Sequence, residues 1–186
     1  DSNPHYFYGI DLTASYKGFD FRCFLQGVLK HDFWPGESSY FWGVRGGYSK
    51  WYTIGLEQHN DYFRDQPIGL EGYELPVNLD SYYPRPITSA NSNGNTFGSK
   101  NQQTQSRYMQ NAGYMRLKNL QLGYSLPKSV LDKVGIANCR VFVSGENLLT
   151  FTSLSSIFDP ETCVGGWGGN AYPLSSTWSF GLSVTF

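Results

Sequence analysis

The last ten residues of the chain alternate without a break. Trp178, Phe180, Leu182, Val184 and Phe186 are large and apolar, whereas Thr177, Ser179, Gly181, Ser183 and Thr185 are small or polar. A period of two puts successive side chains on opposite sides of an extended backbone, so the segment reads as a strand with one apolar and one polar face. The pattern recurs upstream. Ile10, Leu12, Ala14 and Tyr16 share one parity and Asp11, Thr13 and Ser15 the other. Lys17-Gly18 then reads as a tight turn, with Gly18 free to take positive φ. Over 19–30, Phe19, Phe21, Cys23, Leu25 and Leu29 oppose Asp20, Arg22 and Gln26, while Phe24 and Val28 interrupt the polar side. Regularity resumes at Tyr114. Leu120, Leu122, Tyr124 and Leu126 alternate with Gln121, Gly123 and Ser125 as far as Pro127, which lacks the N–H a ladder needs. Lys128–Val134 has room for two short helical turns ended by Gly135. In a fourth strand over 138–149, Val141 and Val143 alternate with Arg140, Phe142, Ser144 and Glu146. The fold class is all-β, with about five antiparallel strands of roughly ten residues each.

The connections alternate in length. Lys17-Gly18 and 127–138 are short, and 31–112 and 150–174 are long. The first long one carries Trp34-Pro35-Gly36, Gln66-Pro67, Leu75-Pro76, Pro84-Arg85-Pro86 and the polar run Asn91–Asn95. Its segment 48–64 suits either a helix or a hairpin. The second includes Gly165-Gly166-Trp167-Gly168-Gly169. Long stretches of weak periodicity are unusual inside a compact domain. Outer-membrane barrels, by contrast, have short periplasmic turns and long extracellular loops. On that reading 31–112 and 150–174 are extracellular, 127–138 is a periplasmic turn, and Phe186 ends at the periplasmic rim as an interfacial anchor.

Composition narrows the choice. Charged residues make only 16% of the chain and the formal net charge is -1, so no basic excess exists to meet nucleic acid. Aromatic residues reach 17%, which suits cross-strand packing on a pleated surface. No apolar run approaches the about twenty residues of a spanning helix, but a spanning strand needs only about ten with alternate ones facing lipid. Cys23, Cys139 and Cys163 are an odd number without close spacing, so neither a disulfide framework nor a metal-binding CxxC pattern is expected. His5, His31 and His59 are scattered, and Asp61, Asp65 and Glu71 lack the alternation of a calcium loop. No cofactor and no catalytic group is expected. Five strands cannot close a wide barrel, so the partners of this sheet are expected upstream in a longer polypeptide, with Asp1-Ser2-Asn3-Pro4 reading as the middle of a chain without a leader. Periodicity alone leaves a second architecture open: a soluble β-sandwich, serving as a carbohydrate-binding or adhesin module.

Several segments carry a family resemblance. Tyr114-Met115-Arg116-Leu117-Lys118-Asn119-Leu120-Gln121-Leu122-Gly123-Tyr124-Ser125-Leu126-Pro127 resembles the penultimate-hairpin signature of the SusC/RagA family of TonB-dependent transporters. Arg140–Phe151 resembles the strand that follows it, Phe158-Asp159-Pro160-Glu161 the family's loop motif, and Tyr172-Pro173-Leu174 with Trp178–Phe186 its closing strand. Gly9–Leu12, Tyr16–Asp20 and Phe24–Gly27 are similar to an earlier hairpin. Glu146 stands where Gln is commoner, and Leu174 departs from a frequent Gln. The resemblance implies the C-terminal portion of a transmembrane β-barrel of 22 strands in the bacterial outer membrane. It also implies a plug domain and a TonB contact in the N-terminal part, both outside this chain. A SusD-like surface lipoprotein would cap the barrel, and the cargo would be oligosaccharides or peptides.

Individual residues then take expected roles. Trp34, Tyr40, Phe41, Trp42, Tyr82, Tyr83, Trp167 and Tyr172 fall in the long loops, where aromatic faces can pack on one another, meet the lipoprotein or stack on cargo. Arg22, Arg140 and Glu146 fall on the lumen parity and suit ion pairing within the barrel or plug, or substrate contact. Arg116 and Lys118 fall on the outward parity: either they snorkel to headgroups or the parity shifts locally.

Overall fold

The computed structural model describes residues 3–36, 38–43, 55–85, 103–164 and 171–186. Asn91–Asn95, residues 48–54 and the glycine-rich stretch with Trp167 lie outside them. The chain divides into two compact units, one of Asp1–Phe33, Gln110–Thr162 and Tyr172–Phe186, the other of Trp34–Met109 and Cys163–Ala171.

The first unit is an antiparallel sheet of five long strands. They are β1 (His5–Tyr16), β2 (Phe19–Lys30), β5 (Tyr114–Ser125), β6 (Asn138–Thr152) and β7 (Thr177–Thr185), adjacent in that order. Two short strands, β3 (Asp32–Phe33) and β4 (Gln110–Asn111), pair separately. The β1–β2 hairpin closes on Lys17 and Gly18, both at positive φ (48° and 87°), the signature of a type I′ turn whose twist matches the strands. Of the expected helical turns after Pro127, one forms over Lys128–Leu131, and Gly135 follows at φ 70°. The short connections leave and re-enter the strands at one end of the sheet, and the strand ends that the long connections join are at the other. β6 runs three residues beyond the expected 149, so the second long connection begins at 153.

The register fixes two unlike faces. Ile10 stands opposite Leu25, Leu12 opposite Cys23 and Ala14 opposite Phe21. Phe21 in turn meets Leu122, Leu122 meets Val143, and Val143 meets Phe180. One face is thus apolar across all five strands. Little covers it: Leu12, Phe19, Leu122, Val141, Phe180 and Leu182 are all exposed. The other face carries Asp11, Asp20, Arg22, Gln121, Arg140 and Ser144. Both edge strands, β1 and β7, have one unpaired side among the described residues. The sheet is therefore open, and barrel closure is not part of it.

Among the described residues the second unit has little regular structure. It holds the single-turn helix α1 (Ser39–Trp42) and the 3-10 turns Glu57–Asn60 and Ser106–Tyr108. Isolated bridges Arg64–Asn78 and Ile68–Leu75 are antiparallel, and Tyr62–Tyr83 is parallel. The described part of 48–64 is thus a 3-10 turn followed by bridged extended chain.

Candidate functional site: a clamped loop and an aromatic-lined groove

On the polar face, two irregularities at one level of the sheet set the geometry. Leu117 and Asn119 both find partners in β2 and β6, and Lys118 between them finds none. In β6, Asn147 and Leu148 are likewise passed over, Glu146 pairing with Asn119 and Leu149 with Leu117. Bulges of this kind turn the parity over. Leu120, Leu122 and Tyr124 lie on the apolar face, whereas beyond the bulge Met115 and Leu117 do, and Arg116 turns to the polar face. The snorkelling expectation for Arg116 and Lys118 is corrected here: the local parity shift holds instead.

Arg116 is buried in an ion cluster. Its Nε donates to Thr150 Oγ1 (2.7 Å) and its Nη2 to Asp159 Oδ2 (2.7 Å), and its Nη1 lies 3.1 Å from Glu161 Oε1. Lys118 Nζ reaches both Glu161 oxygens at 3.2 and 3.0 Å. Asp159 also accepts the Glu161 N–H (2.9 Å) and the Leu174 N–H (3.3 Å), tying both arms of the 153–176 connection to one carboxylate. Only 4% of the Arg116 and 8% of the Asp159 side chain is exposed. Burial pushes the Asp159 carboxyl up, but the Arg116 hydrogen bond, the Glu161 N–H and the guanidinium charge outweigh it and hold it below the usual carboxylate value. Such a pair contributes little net stability against an apolar replacement, but removing one partner strands a buried charge. Asn147, at φ 52°, holds the far arm: its Nδ2 donates to Ser175 O (3.2 Å), and Ser176 Oγ donates to its carbonyl (2.7 Å).

Further along the same face two ion pairs cross between strands. Arg22 grips Asp11 through Nε (3.2 Å) and Nη2 (2.6 Å). Arg140 on β6 reaches Asp20 on β2, Nε to Oδ1 at 2.9 Å, although β5 lies between them. Gly123 makes this possible, since a Cβ there would collide with both the Asp20 carboxylate and the Arg140 guanidinium. Glu146 is exposed on this face.

In the second unit the aromatic side chains form the core. Phe41 stands edge-on to Trp42 (centroids 5.0 Å apart), Tyr83 (5.5 Å), Tyr82 (6.3 Å) and Tyr108 (6.3 Å), and Trp42 meets Tyr108 at 4.9 Å and Trp34 at 6.1 Å. Such T-shaped contacts suit the ring quadrupoles. Burial, then Tyr82 beside it, push the Tyr83 hydroxyl well above its ordinary pKa. His59 is a brace: its Nδ1 accepts the Leu56 N–H (3.0 Å), so Nε2 carries the proton and donates to Phe41 O (3.0 Å). Asp61 accepts Asn78 Nδ2 (2.8 Å) and the Tyr82 N–H (3.1 Å), and Asp65 pairs with Arg85 (2.5 Å). Two arginines satisfy carbonyls that no ladder serves. Buried Arg64 donates to Pro76 O (2.8 Å) and Asn60 O (2.6 Å), and Arg107 donates to Tyr82 O (3.2 Å) and Ser81 O.

Of the eight loop aromatics singled out in the sequence, Phe41, Trp42 and Tyr83 are buried, and Trp34 and Tyr82 are half-buried. Tyr40 is 46% exposed and Tyr172 86% exposed. Trp167 lies outside the described residues, and Phe186 is exposed. Sequence reading missed Arg64, Arg107, Tyr108 and the pairing of Arg116 with Asp159. The Phe158–Glu161 motif flagged one side of that pair but not its partner 43 residues away.

No family model matches the chain. Over 197 residues it is 29% identical to TonB-dependent receptor P3 of Formosa agariphila, an alignment covering 100% of the chain and 17% of that protein. TonB-dependent receptor P26 of the same organism is 25% identical, covering 98% of the chain and 17% of the relative. The chain spans about a sixth of the length of these curated relatives. Among solved structures, the RagAB peptide importer in its closed-closed state superposes with a TM-score of 0.65 at 24% identity, covering 100% of this chain and 18% of that one. Its open-open state gives 0.61 at 22% identity, covering 100% and 17%. At these identities the structural likeness is one of fold. The chain is therefore distantly similar in sequence to TonB-dependent receptors, and its fold is like that of the matching part of the RagAB peptide importer.

Proposed function

We propose that this chain is the C-terminal part of the barrel of a TonB-dependent outer-membrane transporter that imports oligosaccharides or peptides together with a SusD-like surface lipoprotein. The observation that carries the reading is the two-faced sheet. Its apolar face is exposed along all five strands, which water disfavours and lipid accepts, and its opposite face carries the charges a wet lumen tolerates. Unpaired edges are untenable in a bilayer, so β1 and β7 pair with further strands of a closed barrel of 22. A plug domain and the TonB contact belong to the rest of the polypeptide. No catalytic role is proposed.

The long connections 31–112 and 150–174 face outward and the turn near 127–138 faces the periplasm. On the outer side, Tyr40 and Tyr172 offer exposed rings to the lipoprotein or cargo. Trp34 and Tyr82 flank the packed core of Phe41, Trp42 and Tyr83 within the second unit, and Trp167, outside the described residues, is a further proposed contact by its place in the sequence. Protease added to intact cells is expected to cut within 31–112 or 150–174 and spare 127–138, and cleavage confined to 127–138 overturns the orientation. Gentle purification from native membranes is expected to bring down a lipoprotein, identified by mass spectrometry. Repeated recovery of the bare barrel overturns the capped complex.

A further inference from the structure

The second unit contains a groove that neither the fold nor the aromatic core requires. Phe63, Tyr82, Arg85, Gln105, Arg107 and Tyr108 are among its walls, and its volume is about 410 Å³. Two guanidinium groups border it and they are not in the same state. Arg85 is already paired with Asp65 at 2.5 Å and lies over the Phe63 ring, 5.6 Å from its centroid. Arg107 pairs with no carboxylate among the described residues. Its Nε and Nη2 are held by the main-chain oxygens of Tyr82 and Ser81, which fix the plane of the fork without neutralising it. A planar, pre-oriented, uncompensated guanidinium beside aromatic rings is the arrangement that recognises a carboxylate attached to an apolar body.

We propose that this groove is a subsite for a carboxylate group of the imported ligand, with Arg107 as the charged contact, Arg85 as a secondary one exchangeable with Asp65, and Tyr82 as the ring against which the ligand body lies. The inference rests on the transporter reading above and narrows its cargo to carboxylate-bearing molecules. An acidic peptide and a uronic-acid oligosaccharide present the same group, and the test separates them.

The protein used is the full-length transporter with its co-purifying partners in detergent, and the measurement is calorimetric titration. The probes are triglutamate and trigalacturonate, each beside its neutral counterpart, triglutamine and a galactose trisaccharide. One acidic probe is expected to bind about tenfold or more tighter than its neutral counterpart, since a charge-assisted bidentate contact is at stake. That preference should shrink as salt rises from about 50 to about 500 mM. Arg107→Gln, whose Nε2 takes the place of Nε and can still donate to the Tyr82 carbonyl, is expected to abolish the preference. Arg107→Lys should keep part of it, and Arg85→Gln should reduce it less than Arg107→Gln does. Heat-modifiable migration of each variant reports that the barrel is folded. Equal binding of acidic and neutral probes, no binding of either acidic probe, or an acid preference intact in Arg107→Gln each overturns the subsite. A lipoprotein that still co-purifies in those cases leaves the transporter reading standing, so the two fail separately.

Discussion

The sheet and the loop unit solve the same problem with opposite means. In the sheet, main-chain groups satisfy one another strand by strand, and side chains are left exposed on one face and sparsely paired on the other. Among the described residues of the loop unit few main-chain groups meet one another, and side chains supply what is missing: Arg64 and Arg107 serve carbonyls, His59 braces two segments, and rings fill the centre. A ladder is cooperative along its whole length, whereas a packed knot of rings is local. Damage to the sheet should therefore abolish the whole protein, and damage to the loop unit should stay where it is made.

The largest effect tests the cooperative side. Deleting 178–186 removes most of β7 and leaves the matching donors and acceptors of β6 without partners, at several kcal/mol for each unsatisfied group in a bilayer. Assembled full-length protein is expected to vanish from the outer membrane. Normal amounts of heat-modifiable barrel after this deletion would break the comparison. Phe41→Ala tests the local side. It empties the centre of the ring cluster at about 3–5 kcal/mol, yet heat-modifiable barrel should persist while proteolysis within 34–109 increases.

A smaller effect probes the clamp that binds a loop to the sheet. Because the native pKa of Asp159 lies below its unfolded value, its contribution is fully present above about pH 3.9 and is lost as pH falls through the native value. Exchange at the Glu161 and Leu174 amides, which donate to this carboxylate, should accelerate across that acid window in the native protein, after correction for the intrinsic pH dependence. In Asp159→Asn both amides should exchange faster already at neutral pH, by up to about 3 kcal/mol of lost protection, with no further acid step. Glu161, 3.1 Å from Arg116, limits the loss. Unchanged exchange in the variant would mean that the loop is held by Asn147 and the serines alone.

The same contrast decides which features are legible in the amino-acid sequence. Strands announce themselves by period two, and β2, β5 and β7 fall where the alternation puts them, whereas β1 begins at His5, ahead of the alternation read over 8–16. The alternation stops being readable at bulges. Lys118 hides the turnover that carries Arg116 inside. Asn147-Leu148 throws Thr150–Thr152 out of phase, so the pattern ends at 149 although β6 continues to 152. In the loop unit no period exists to read. Composition marks the rings but does not tell that Phe41 faces inward while its neighbour Tyr40 faces out, because a single helical turn decides it. The groove beside Arg107 brings together residues from the middle and the C-terminal end of a long connection, and spacing along the chain carries no trace of that.

The bridge over Gly123 bears on a different matter: how β5 knows its place. Alternation rejects a shift of one residue, since every side chain would change face, but it is indifferent to a shift of two. A shift of two would set Gln121 or Ser125 beneath the Asp20–Arg140 pair, and the room for the two charges to meet would be filled. A partly exposed ion pair of this kind adds little to stability. As a lock that accepts only one tooth of the ladder, it discriminates between alignments that the hydrophobic pattern treats as equal.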